Sequence, residues 1–158
     1  MPSTLSARTT LRQVIYTSRA VPRMGLDTVA TIFRRAREFN ASHGITGALL
    51  YDGHLFAHWL IGPAVTVTAL MERIARDPRH EAMLVLLDEP ADGTEFGSRW
   101  HVGYALPDAL NECSSWSAGP REAVVQGFRS LLPNADVWPP LQEDSETADP
   151  AQGGLYSA

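Results

Sequence analysis

His58 sits in the middle of an apolar stretch, Gly44–Pro63, and a lone imidazole in such a place needs a partner. Imidazole can donate through one ring nitrogen and accept through the other. Tyr16, in the β-branched run Leu11–Thr17, carries a phenol that can meet it; on residues alone the pair reads as a strand aromatic with its hydroxyl satisfied. Asn40 offers both a donor and an acceptor, but near a helix end an amide is ordinarily a local polar residue. Arg73, Asp77, Arg79 and His80 gather where a second helical segment stops, a pattern usual for a solvated helix end. Ile32, Ile74 and Trp100 are core residues on any reading. His54 and His58 lie about 13 Å apart along an extended strand, too far to share one metal ion, so no metal site is expected. No G-x-S-x-G motif, glycine-rich phosphate loop or Cys/His pair supports a hydrolase or nucleotidase.

These side chains need elements to hold them. Leu11–Thr17 reads as the first strand. A helix over roughly 28–43 follows, with Asp27 as its N-cap and Gly44 as the residue that closes it. Val29, Ile32, Phe33, Ala36 and Asn40 share one face of that helix; Arg34, Arg35, Arg37 and Glu38 take the other. Asp52-Gly53 marks a hairpin turn between two apolar arms. On the second arm His54, Phe56, His58 and Leu60 point one way, and Leu55, Ala57, Trp59 and Ile61 the other. Both sets are largely apolar, which predicts an inner strand covered on two sides. A second helix spans about 63–76, with Pro63 in its first turn. Met83–Leu87 and residues 99–105 read as two further strands, and Arg121–Leu132 as a last helix.

The order β-α-β-β-α-β-β predicts an α+β, ferredoxin-like domain: a five-stranded mixed sheet with two helices on one face and a C-terminal helix on the other. The expected organisation is a flexible arm over 1–10, a domain over 11–105, an extension with one helix over 106–138, and a disordered acidic tail over 139–158. With 158 residues, 44% hydrophobic and 20% charged, the chain has the composition of an ordinary globule. A net charge of −5 without a basic stripe argues against nucleic acid or an anionic membrane as partner. The single Cys113 and the absence of a secretory leader or spanning-length apolar run predict a cytoplasmic protein.

The phrase FNASHGITGALLYDGHLFAHWLIGP, followed by LMERIARDPRH and a lone tryptophan at Trp100, resembles the BLUF family, blue-light sensors that use FAD. The likeness extends to VIYTSRA near the start, and GITG-x-L-x-Y and D-x-RH are its most specific parts. It implies a flavin ring between the two helices, flanked by Ile32 and Ile74. It assigns Asn40 to the carbonyl and imide edge of the ring, Arg73 to its vicinity, and Asp77, Arg79 and His80 to the ribityl and phosphate end. Tyr16 would then be the photochemical electron and proton donor, with His58 and Trp100 completing the relay.

Three positions depart from the family pattern. His58 stands where the family has a glutamine, Ile61 where it has a glutamate, and Val102 where it has a methionine. Two functions follow as expectations. The first is an FAD-binding sensory domain, not an enzyme, that signals to an unidentified downstream protein and forms a homo-oligomer. The second is a light-insensitive interaction module on the same fold.

Overall fold

The computed structural model describes residues 10–93, 95–97 and 99–139. The expected N-terminal arm and acidic tail lie outside these residues, except for Thr10 and Pro139. The elements are β1 (Leu11–Ala20), α1 (Leu26–Ser42), β2 (Thr46–Tyr51), β3 (Leu55–Pro63), α2 (Ala64–Ala75), β4 (His80–Ala91), β5 (Trp100–Tyr104), a 3₁₀ helix (Asn111–Ala118), α3 (Arg121–Leu131) and β6 (Asp136–Trp138).

The strands form one mixed sheet in the order β4-β1-β3-β2-β5-β6, with β2 and β5 parallel and the other pairs antiparallel. This is the ferredoxin-like arrangement the sequence predicts, with six strands instead of five. The sixth is β6, which pairs Asp136 with Tyr104 and Trp138 with Val102. β4 also runs further than its apolar centre: Arg12 bridges to Asp88, Gln13 bonds Glu89, and Arg19 bridges to Glu81. Cross-strand polar pairs, not hydrophobicity, extend this edge.

β3 is indeed covered on both sides. Phe56 and Leu60 join Val29 and Phe33 of α1 and Val67 and Leu70 of α2 in one apolar layer. Ala57, Trp59 and Ile61 join Val124, Val125, Phe128 and Leu131 of α3 in the other. The sheet therefore carries two helices on one face and α3 on the opposite face. Trp59, almost wholly buried, meets Phe96 and Phe128 edge to face, with centroids 5.1 and 5.4 Å away. Its indole N–H donates to Gln13 Oε1 at 3.1 Å.

Local chemistry explains most element boundaries. Gly44 adopts φ +70°, and the Ile45 amide turns back to the Asn40 carbonyl at 3.0 Å, the closure a glycine favours at a helix end. Gly47 has φ +138°, and a Cβ there would lie 1.8 Å from the Trp59 carbonyl oxygen, so only glycine lets β2 approach β3 at that point. The expected cap at Asp27 is not made. Gly25 precedes the helix without a side-chain cap, and Asp27 lies inside the first turn, where its charge favours the helix dipole. Pro63 likewise precedes α2 instead of opening it.

Asp52 does more than mark a turn. Its Oδ1 accepts from the His54 and Leu55 amides at 2.9 and 2.8 Å, while Oδ2 accepts from the Leu110 amide at 3.1 Å. It ties the hairpin to the segment leading into the 3₁₀ helix. Asp52→Ala is expected to destabilise the protein by about 3 kcal/mol, since several amides lose their partner at once. A urea midpoint indistinguishable from that of the parent would refute this. No helix among the described residues is long and apolar enough to cross a membrane.

Candidate functional site

Between α1 and α2, against the sheet, a cleft of about 230 Å³ opens to the surface. Tyr16, Ile32, Asn40, His58, Arg73, Ile74, Asp77, Arg79 and His80 all line it. Trp100 does not, but it packs behind the site with its ring centroid 4.9 Å from that of His58. The structure thus brings the sequence-derived candidates to one place. Ile32 and Ile74 face a shared space from the two helices.

Each polar group is positioned by the element that carries it. Tyr16 and His58 are direct cross-strand partners on β1 and β3, and the Tyr16 hydroxyl lies 2.8 Å from His58 Nδ1. Burial pushes the phenol pKa well up, with the negative charge of Asp77 adding to the effect. Burial pushes His58 down to about 3, with His80 adding to it. Both groups are therefore neutral across the ordinary pH range. Asn40 is anchored through its backbone carbonyl, which accepts from the His43 and Ile45 amides at the end of α1. Its side chain is thereby turned inward at 1% exposure.

The other end of the cleft is charged. Arg79 grips Asp77 in a two-point ion pair, with Nη2 to Oδ2 at 2.6 Å and Nε to Oδ1 at 2.9 Å. The guanidinium holds the Asp77 carboxyl below its usual range. His80 Nε2 reaches the Ile74 carbonyl and closes the end of α2. Arg73 lays its guanidinium 5.0 Å from the centre of the Phe39 ring, linking the helices across the mouth. Phe39 is also stacked on His43 at 3.9 Å.

Residues that the sequence reading did not select also face the cleft: Ser18, Arg35, Phe39, Leu49, Phe56 and Leu70. Arg35 was expected on the solvent face of α1 with Arg34. It instead lies at the rim, because it stands one turn before Phe39 and three residues after Ile32. That i, i+3, i+7 spacing is visible in the sequence, but the charge conceals it.

Two deeply buried polar atoms in this cleft, Asn40 Oδ1 and His58 Nε2, have no hydrogen-bond partner among the described residues. Ser18 Oγ, also lining the cleft, is a third. Native interiors rarely leave such atoms unpaired. An apolar slot edged by placed donors and acceptors, with cations at one end, fits a flat heteroaromatic ligand bearing phosphate. Among the described residues, no group of three or more His, Cys, Asp or Glu could hold a metal ion.

Fold and cleft together define a ferredoxin-like domain with a ligand-sized opening between its paired helices. A family model described as "Sensors of blue-light using FAD" matches residues 11–103, and the chain belongs to this BLUF family. It is 34% identical over 102 residues to photoactivated adenylate cyclase subunit beta of Euglena gracilis, a match covering 65% of this chain and 12% of that protein. It is 35% identical over 95 residues to the alpha subunit of the same organism, covering 60% and 9%. The chain therefore spans only 9–12% of the length of these relatives. Among solved structures it is similar to the BLUF protein BlrB in its dark state, with a TM-score of 0.62, 25% identity, and coverage of 78% and 95%. It is also similar to the BLUF domain of BlrP1, with a TM-score of 0.58, 28% identity, and coverage of 79% and 89%.

Proposed function

We propose that this chain binds FAD in the cleft between α1 and α2 and acts as a blue-light sensory domain that reports to a protein partner by contact. The observation that carries this is the pair of buried polar atoms, Asn40 Oδ1 and His58 Nε2, on residues that line one cleft and without a partner among the described residues. Ile32 and Ile74 form the walls, and Asn40 anchors the polar edge of the ring. Arg73 stands near the ring, and Asp77, Arg79 and His80 make the end suited to the ribityl and phosphate groups. When bound, the flavin supplies blue-light absorption and the capacity to take up an electron.

The protein's part is to hold and move a proton. In this reading Tyr16 gives the electron, and its Oη gives up the phenolic proton. The acceptor in reach is His58 Nδ1, 2.8 Å away. Burial disfavours imidazolium, so Nδ1 would gain a proton only as Nε2 passes one to the bound flavin, the group that would also take up the electron. His58 thus passes a proton by exchanging the roles of its two nitrogens, where a side-chain amide would rotate. Trp100 packs against the imidazole and fixes its plane.

A second reading is favoured by His58 itself, which stands at the family's glutamine position: a BLUF-fold interaction module with no working flavin. An absorption spectrum of the purified chain, dark and then illuminated, separates the two. Bound flavin and a small red shift of its bands in blue light are expected. Bound flavin without a shift overturns the sensor and keeps the binding. A chain that stays colourless when supplied with FAD establishes the second reading. Chromatography of the released pigment distinguishes FAD from FMN.

A further inference from the structure

Ser18 is 2% exposed, lines the cleft, and has its hydroxyl oxygen buried without a partner among the described residues. It lies two residues beyond Tyr16 on β1 and so projects from the same face. The pairing of β1 with β4 is irregular at this point: between the pairs Thr17–Leu84 and Arg19–Glu81 the single residue Ser18 faces two on β4, Ala82 and Met83, and Ala82 adopts a positive φ of 54°. Bulges of this kind re-aim side chains beside binding sites.

The position along the strand is informative. Tyr16 marks the end of the cleft where His58 stands, while Ala20 pairs with His80 and the Val21 amide donates to the Arg79 carbonyl at the charged end. Ser18 therefore stands about 7 Å from each end along the strand. Midway between a ring site and a phosphate site, a hydroxyl that both donates and accepts matches a hydroxylated linker. Resting on the reading of the cleft as a flavin site, we infer that Ser18 Oγ hydrogen-bonds the polyol chain that joins the ring to the phosphates, and so selects flavins that carry that chain.

The test uses the full chain, freed of flavin, and two probes: riboflavin, which has the polyol, and lumiflavin, which carries a methyl group in its place. Fluorescence titration of the parent and of Ser18→Ala gives four affinities. Ser18→Ala is expected to bind riboflavin about 5- to 10-fold more weakly and lumiflavin with unchanged affinity. In the flavin-free protein the same substitution removes an unpaired buried hydroxyl, so its Tm is expected to rise by about 2–4 °C. Tighter folding with weaker polyol binding is a combination that a merely structural serine would not give. Equal losses for both probes, or no loss for either, overturn the role of Ser18 while the cleft remains a flavin site. A fall in Tm overturns it too, since the hydroxyl would then have a partner inside the protein. A parent chain that binds neither probe overturns the inference together with the reading beneath it.

Discussion

Tyr16→Phe is expected to lower the yield of the light-induced shift by about 100-fold or more while flavin remains bound, since the positioned proton donor is gone. The substitution keeps the ring, its T-shaped contact with His58 and its place in the α1–α2 layer. It removes only the oxygen 2.8 Å from His58 Nδ1. In the flavin-free protein that nitrogen then joins Nε2 as a buried atom without a partner among the described residues, and an orphaned group of this kind costs about 1–3 kcal/mol. The variant should therefore unfold at lower urea by a corresponding amount, and Tyr16→Phe with His58→Leu should recover part of the loss. Retention of the full light response by Tyr16→Phe would remove Tyr16 from the relay. A normal urea midpoint would mean that the Tyr16–His58 bond contributes nothing to the fold.

The second large effect is acid sensitivity. The His58 imidazole titrates near 6.5 when exposed and about 3 in the folded chain. Between those values the unfolded state holds a proton that the folded state does not, so stability rises with pH through this window. It is fully present above the unfolded value, falls as pH drops below it, and the loss is complete at the folded value. The slope is about 1.4 kcal/mol per pH unit, or about 2 kcal/mol by pH 5. Urea unfolding from pH 7.5 to 4.5 would measure it, with His58→Gln as the reference in which this contribution vanishes. Parallel pH profiles for the parent and for His58→Gln would show that His58 protonates freely in place.

The sequence disclosed what depends on short-range pattern. Alternation along β3 correctly separated Phe56, His58 and Leu60 from Ala57, Trp59 and Ile61, because side-chain direction follows strand geometry whatever the tertiary context. Asp52-Gly53 and Gly44 announced their turns through backbone demands few other residues meet. What stayed hidden depends on partners far away in the chain. The ends of β4 are polar and look like loop; they are strand because Arg12, Gln13 and Arg19 reach across from β1. β6 is too short to show a period and exists through its pairing with β5. The 3₁₀ helix Asn111–Ala118 is mostly small and polar, and Asp52, far back in the chain, pins the residue before it. Of the site, the apolar walls and the buried amide and imidazole were legible. Arg35 and Ser18 were not, since a charge and a small hydroxyl look like surface until the cleft and the β1–β4 bulge place them.

Neighbouring residues on β3 serve different halves of the molecule. His58 belongs to the cleft, while Trp59 anchors the layer under α3 and, through Gln13 and Glu89, connects to Arg121 at the start of that helix. Two of the three departures from the family pattern, His58 and Val102, lie on the cleft side. The chain can therefore retune its chemistry by exchanging side chains on one surface of the sheet, while the reverse surface continues to secure the architecture. Such a division makes the domain tolerant of experiment, natural or engineered, at the positions where a new response would have to arise.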